Sequence, residues 1–409
     1  MMDIDAIRAL ADAQADYARE AYRWLHRHPE LSFQEVETAR YVADQLRSLD
    51  LEPRIGVGRP GEHGVVAVLG ADRPGPVVAL RADMDALPLE EATDLPWQSQ
   101  RPGVMHACGH DAHTAILLAT AAALRHVERD HPRSLVGPVV LLFQPAEEQE
   151  PGGALGMIEA GVLDSPPVAA VFGLHQSPLL DTGTVGLAVG ARSAAADDFT
   201  LTIRGRGGHA AWPHRTVDPV VVAAHVVTAL QTVVSRQAPP TNAAVVTVAT
   251  IHGGTKDNII PDEVVMTGTV RTLAPELRDA MPQRIESLAQ GIAAGFGAEA
   301  TLDYAWGYPV LVNDAAMTAL AERAAIRALG ESQVVEAEPV LGAEDFAYFL
   351  EQRPGCFATL GVGVPSIPLD KRPTGHSARF SLDEAALPVG VAYYLALLDE
   401  WARSSRPAQ

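Results

Sequence analysis

Three nearly all-apolar stretches of this chain each run directly into polar side chains. Val77-Val-Ala-Leu-Arg-Ala82 leads into Asp83-Met-Asp85, Val136-Gly-Pro-Val-Val-Leu-Leu-Phe143 into Gln144-Pro-Ala-Glu-Glu148, and Val168-Ala-Ala-Val-Phe-Gly-Leu174 ends at His175. Runs of this kind suit strands buried on both faces. In open α/β sheets, ligands bind in the crevice beyond the strand C-termini, which is where these polar groups would collect. Helical spacing appears between the strands, at His113–His126 and about Ala154–Ala160, and the alternation predicts a mostly parallel sheet covered by helices. Before it, Ile7, Leu10, Ala13, Tyr17 and Ala21 repeat at helical spacing within residues 3–49, as does Glu35–Leu49. Gly64–Gly70 reads as a further strand.

Near residue 190 the pattern changes. Asp198–Arg204, Ala244–Ile251 and Val264–Arg271 alternate polar and apolar residues, as strands of an antiparallel sheet with one solvated face do. Helical segments at about Val217–Arg236 and Pro275–Phe296 would cover the other face. At 409 residues the chain exceeds one comfortable core. The reading is an α/β domain from residues 1–190 and 307–409, with an α+β domain inserted at 191–306. A helix at 383–402 closes the first domain.

Met105-His-Ala-Cys-Gly-His-Asp-Ala-His113 packs three histidines, a cysteine and an aspartate into nine residues. In an extended segment Cys108 and His110 leave on the same side, with Gly109 allowing a close approach. A thiolate and an imidazole aimed at one point suit a transition metal, although a structural cysteine among surface histidines is the plainer alternative. Asp111 and His113 are expected to order this loop, and His106, His26 and His28 are read as structural. The net charge of −20 disfavours nucleic acid and anionic membranes as partners. Only Cys108 and Cys356 are present, so no disulfide framework is expected and a reducing, cytoplasmic home fits. The start Met1-Met-Asp-Ile-Asp lacks signal-peptide features, and no apolar run reaches the roughly twenty residues of a membrane span.

Taken in order, seven segments resemble the M20 metallopeptidase clan, in its amidohydrolase branch of hippurate hydrolases, N-acyl amino acid amidohydrolases and auxin-conjugate hydrolases. They are His28-Pro-Glu-Leu-Ser-Phe33, Leu80-Arg-Ala-Asp-Met-Asp-Ala-Leu-Pro88, the Met105–His113 loop and Phe143-Gln-Pro-Ala-Glu-Glu148. Gly205-Arg-Gly-Gly-His-Ala-Ala-Trp-Pro-His214, Gly253-Gly-Thr-Lys-Asp-Asn-Ile-Ile-Pro261 and Gly342-Ala-Glu-Asp-Phe346 complete the set. The resemblance implies a zinc-peptidase-like catalytic domain, with the inserted domain as a satellite serving dimerisation and acting as a lid. It implies two divalent metal ions per subunit (Zn, Mn, Co or Ni), held by Cys108, His110, Glu148, His175 and His376, with Glu147 as general base. Many clan members carry a ligand histidine where this chain has Arg81, and proline often follows the serine of the motif that here reads His376-Ser-Ala-Arg-Phe380.

Such a centre answers two chemical difficulties, since an amide is a poor electrophile and neutral water a poor nucleophile. Metal ions about 3.5–4 Å apart address both, and adjacent Glu147 and Glu148 can divide proton transfer from metal binding. Asp83 is expected to hydrogen-bond a metal-bound histidine, with Asp85 sharing that task or closing the turn. By resemblance His209 reaches across a homodimer to stabilise the oxyanion. Asn258 and Arg271 are candidates for the substrate carboxylate, with His214 and Lys256 as neighbours; Glu344 and Asp345 either line the pocket or begin a helix. The reading is metal-dependent hydrolysis of small N-acyl amino acids, with a dipeptidase or carboxypeptidase on the same machinery as the alternative. An inactive metal-binding scaffold and a thiol hydrolase using Cys108 are the readings from other classes.

Overall fold

The computed structural model describes residues 3–130 and 137–404. The chain forms two compact units. The first comprises the chain up to Gly190, Val312–Glu338 and everything from Asp345 on; the second comprises Ala191–Leu311 and Pro339–Glu344.

In the first unit, helices α1 (Ile4–Ala13), α2 (Ala15–Arg27) and α3 (Val36–Ser48) precede strands β1 (Arg54–Val57), β2 (Gly64–Leu69) and β3 (Val77–Asp83). Helix α4 (His110–Asp130), strand β4 (Val139–Gln144), helix α5 (Gly153–Glu159) and strands β5 (Val168–Asp181) and β6 (Val185–Leu187) follow. The sheet has eight strands in the order β1, β2, β4, β3, β5, Gly355–Gly363, β6, Val334–Glu336. Its centre, from β4 through β3 and β5 to Gly355–Gly363, is parallel. The β1–β2, β2–β4 and Gly355–Gly363–β6 pairs are antiparallel, so the sheet is mixed at its flanks.

Alternation along β3 explains both faces. Val78, Leu80 and Ala82 enter the main core with α2, α4 and the C-terminal helix Ala386–Ser404. Ala79 and Arg81 point the other way, where the Arg81 guanidinium lies over the Phe346 ring. Helix α4 is alanine-rich and packs closely: a Cβ on Gly390 of the C-terminal helix would come within 2.8 Å of Ile116.

Three expectations are corrected here. Helix α4 begins at His110 rather than His113, so Cys108-Gly109-His110 is a turn and not an extended segment, and Gly109 takes φ +81°. Strand β5 does not stop at His175 but continues to Asp181, pairing with Gly355–Gly363 beyond its other neighbour. The strand expected from Val136 is observed from Val139; Val136 itself lies outside the described residues.

The second unit holds an antiparallel sheet in the order Ala244–His252, Glu263–Thr272, Ala195–Arg204, Glu299–Trp306. Helices Pro219–Thr232 and Pro275–Gly295 cover one face over Leu201, Ile203, Val226, Met266, Met281 and Ile285. The first helix continues through a π-helical turn, and Pro219–Gln237 is long and apolar enough to cross a membrane by length and composition. This differs from the sequence expectation, which found no such run. Val222, Ala223, Val226, Leu230 and Val233 nevertheless pack into the core of the unit. The unit also extends past the expected boundary at 306. Ala196 N–H donates to Tyr308 O and Gly307 N–H to Asp197, while Ala194 N–H reaches Val340 O and Gly342 O, so these outlying segments are stitched to the Ala195–Arg204 strand and its lead-in.

Candidate metal centre

The C-terminal ends of β3 and β4 are level, with Asp83 paired to Gln144. Arg81 pairs with Gly173, so His175 stands level with Asp83 although β5 runs on. The turn before α4 brings Cys108 and His110 to the same end. Cys108 Sγ lies 3.4 Å from His175 Nε2. Ligand atoms of Cys108, His110 and His175 lie within 4.8 Å of one another, as do those of Cys108, Glu148 and His376. The thiol thus belongs to both triads, the placement a bridging ligand requires. Glu147 joins His110 and Glu148 in a third group, 3.9 Å from His110 Nε2.

The histidine tautomers can be read from their partners. His110 Nδ1 faces Asp85, 3.0 Å from its carbonyl and 3.1 Å from Oδ1, and therefore donates. That leaves Nε2 as a buried nitrogen with no hydrogen-bond partner among the described residues. An unpartnered buried polar atom is costly, whereas a lone pair facing a thiol and carboxylates is what a divalent ion takes up. His175 Nδ1 donates to Gln176 O at 2.7 Å, again freeing Nε2. The donor set fits a soft-to-borderline divalent metal. His376 has φ +61°; its N–H donates to Ala107 O and its Nε2 lies 3.2 Å from Glu148 Oε1.

Titration follows the same contacts. Burial would depress the His110 imidazole, but the Asp83 and Cys108 charges and the Asp85 hydrogen bond hold it well above its ordinary range. Hydrogen bonds to Cys108 and then Glu148 push His376 up to about 10. Metal uptake must displace these protons, so it is pH-dependent. Burial pushes His113 down to about 4.

Asp83 is placed differently from the expectation. Its Oδ1 accepts from His113 Nδ1 at 2.6 Å and its Oδ2 from Arg81 Nη1 at 2.7 Å. The hydrogen bond to His110 belongs to Asp85, whose Oδ2 also accepts from Ser32 Oγ and from the Glu148 N–H at 2.9 Å. His113 uses both nitrogens, since its Nε2 accepts from the Gln176 N–H at 2.9 Å. Asp345 is fully buried, where it receives Arg81 Nη2, Gln144 Nε2 and the Ala154 N–H. His26 lies between Asp111 (2.7 Å) and Glu91 (3.2 Å), and His28 stacks on Trp24. His106 is buried with neither ring nitrogen hydrogen-bonded among the described residues.

In the second unit, His209 and Asn258 are brought together. The Gly208–His209 strand pairs with Ile259–Ile260, and Ala210 N–H donates to Asn258 O. His209 is exposed and packs on Trp212, with Nδ1 accepting from Ala211 N–H. His214 and Lys256 are exposed nearby in sequence. Arg271 is not part of this group. It sits eight residues along the strand from Glu263, roughly 26 Å away at the usual rise, and donates to Val270 O.

Sequence reasoning missed Ser32, Glu35 and Gln176. Gln176 Nε2 donates to Cys108 O, and a Cβ at Gly109 would fall 2.5 Å from the Gln176 side chain, so this residue braces the turn that carries two candidate ligands.

Residues 79–400 match the Peptidase family M20/M25/M40. The chain belongs to that family. An N-acetyl-L-cysteine deacetylase of Bacillus subtilis is 43% identical over 373 residues, covering 91% of this chain and 85% of the relative. An IAA-amino acid hydrolase (ILR1-like 5) of Arabidopsis thaliana is 39% identical over 389 residues, covering 94% and 86%. The crystal structure of a dinuclear metal binding peptidase of the M20 family from Bacillus subtilis superposes with a TM-score of 0.84 at 38% identity, covering 96% of this chain and 99% of that one. This M20 chain therefore shares its fold with a dinuclear metal-binding relative.

Proposed function

We propose that this M20-family hydrolase is a metal-dependent amidohydrolase that cleaves N-acyl amino acids to a carboxylic acid and a free amino acid. The observation that carries the reading is the pair of triads that share Cys108, one with His110 and His175 and the other with Glu148 and His376, with Glu147 beside His110 and Glu148. The names of the deacetylase and the IAA-amino acid hydrolase support the substrate class. The five residues would hold two divalent ions, Zn, Mn, Co or Ni, and Cys108 belongs to both candidate triads. Such ions lower the pKa of water and polarise an amide carbonyl. Glu147 takes the proton from the attacking water and delivers it to the leaving amine, a role worth typically 10²–10⁴-fold. Asp85 keeps His110 in the tautomer that presents Nε2, and Asp83 does the same for His113 behind it.

The remaining parts lie on the second unit. His209 would donate to the developing oxyanion and Asn258 would bind the substrate carboxylate, with His214 lining the same region; Arg271, the other candidate for that carboxylate, stands apart from this group, eight residues along its strand from Glu263. We infer a homodimer through the second unit, supported by the exposed Val220 and Val221 of the apolar helix and by Phe296. In it, His209 of one protomer would serve its partner's metal centre. The peptidase named among the relatives favours short peptides as a second reading.

The test is a panel of N-acyl amino acids and dipeptides, assayed after chelation and again after addition of Mn²⁺ or Zn²⁺. Activity lost with chelator, restored by metal and highest on acyl amino acids is the expected result. Preference for dipeptides would select the second reading. Activity indifferent to chelator, on protein shown by metal analysis to be metal-free, would overturn the proposal in favour of Cys108 as nucleophile.

A further inference from the structure

We propose that Glu35, a residue outside the metal cluster, is a positioning residue for Glu147 and Glu148: its carboxyl holds the N–H of Ala146, the left-handed residue that leads into both. Glu35 is fully buried at the start of α3, yet makes no side-chain capping bond to that helix. Its Oε1 instead accepts the Ala146 N–H at 2.7 Å, across 111 residues of sequence, and the Phe33 N–H at 3.1 Å. Ala146 has φ +53°, a left-handed conformation that residues with a Cβ rarely adopt. Its carbonyl is held as well, accepting from the Gly153 N–H at 3.0 Å. Two residues further on, the Glu148 N–H is held by Asp85. Glu147 therefore hangs between two pinned peptides, one held at the Ala146 carbonyl by Gly153 and the other at the Glu148 N–H by Asp85, while Glu35 holds the Pro145–Ala146 peptide that leads into them. Without the Glu35 oxygen, the Ala146 N–H loses its partner, and only the bonds to Gly153 and Asp85 oppose rotation of the turn toward ordinary backbone angles.

The second oxygen of Glu35, Oε2, is buried with no hydrogen-bond partner among the described residues. Burial, reinforced by the Asp85 charge, pushes this carboxyl up to about 8, so it is uncharged near neutral pH. An uncharged carboxyl with one working acceptor is closely imitated by glutamine, whereas aspartate withdraws the acceptor by one methylene. The pair of variants thus separates the hydrogen bond from the mere presence of a polar group.

The inference rests on Glu147 and Glu148 having the roles proposed above. The experiment compares wild type, Glu35→Asp, Glu35→Gln and Glu147→Gln as metal-replete enzymes. It reads kcat and KM on an N-acyl amino acid, metal content, and hydrogen exchange of the Ala146 amide. For Glu35→Asp the expected result is a kcat lowered about 10–100-fold with KM within about threefold, as for other groups that orient a site. Metal content stays at the wild-type value and the Ala146 amide exchanges at least about tenfold faster, as expected when a buried hydrogen bond opens. Glu35→Gln returns both readouts to within about threefold of wild type. Wild-type kcat and wild-type protection of Ala146 in Glu35→Asp would overturn the proposal, as would a Glu35→Gln enzyme as impaired as Glu35→Asp. If Glu147→Gln retains activity, the catalytic reading fails. The Ala146 exchange data still decide whether Glu35 holds the turn.

Discussion

His110 and His209 are assigned to the same reaction, yet the chain holds them in opposite ways. His110 is sealed from solvent, its Nδ1 is committed to Asp85, and it opens a long helix that is buried along most of its length. His209 stands exposed on a two-stranded ribbon of two residues per strand, held by backbone pairing and a ring contact with Trp212. The first arrangement is pre-organised: burying Asp83, Asp85 and Arg81 is expensive, and the return is a donor set already in place. The second leaves its groups free to meet a ligand or another surface. Damage to the buried set should therefore alter metal binding or chemistry within one chain, while damage to the ribbon should leave the metal untouched.

The sharpest cut is at Glu147. Glu147→Gln should lower kcat by about 10³-fold or more while metal content by elemental analysis stays at the wild-type value; lost metal would move Glu147 into the ligand set. Next comes His209→Ala, with an expected loss of about 10²–10³ in kcat and unchanged metal affinity. Mixing it with Glu147→Gln should restore part of the activity if the two sites of a dimer share parts, and a mixture no better than its components would break that idea. Asp85→Ala should weaken metal binding by about 10–100-fold in a chelator competition, more than Asp83→Asn does, because Asp85 alone contacts His110 Nδ1.

A smaller effect lies away from the chemistry. Burial opposes the charge on His26, but Asp111 and Glu91 raise its pKa to about 9. Because the folded value exceeds the unfolded value of about 6.5, the stabilisation is fully present below pH 6.5 and is lost as pH rises through 9. His26→Gln should therefore flatten the decline in Tm between pH 6.5 and 9, with little change in kcat; an unchanged Tm profile would sink the assignment. The smallest effect is expected at Arg271. It lies far along its strand from the His209 ribbon, so Arg271→Ala should raise KM by no more than about threefold unless a second surface brings it to the substrate.

The buried strands were legible because covered parallel strands leave little choice of residue, and the polar groups at their ends marked the crevice. The Glu299–Trp306 strand was passed over although Glu299, Thr301 and Asp303 alternate with Ala300, Leu302 and Tyr304; its inner positions are only half-buried, and the alternation ends at Ala305–Trp306. The overrun of β5 was hidden by Pro178, which reads as a strand terminator although the ladder continues past it. The Cys/His/Glu cluster could be found from residue types and resemblance. Its supports could not. Ser32 bonds the Asp85 side chain, while Glu35 and Gln176 bond distant backbone, and no local pattern announces partners 53, 111 and 68 residues away.

Arg81 bears on how such a site can change over generations. Its guanidinium spans Gln144, Asp83 and Asp345 in a space with no water access, at the position where many clan members carry a ligand histidine. A histidine there would leave two interior carboxylates without their cation, and losing one partner of a buried pair typically costs about 3–5 kcal/mol. Asp83 would keep His113, and Asp345 would keep Gln144 and the Ala154 N–H, but neither replaces the guanidinium charge. An Arg81→His exchange is therefore costly by itself, because it removes the one cation that Asp83 and Asp345 share among the described residues.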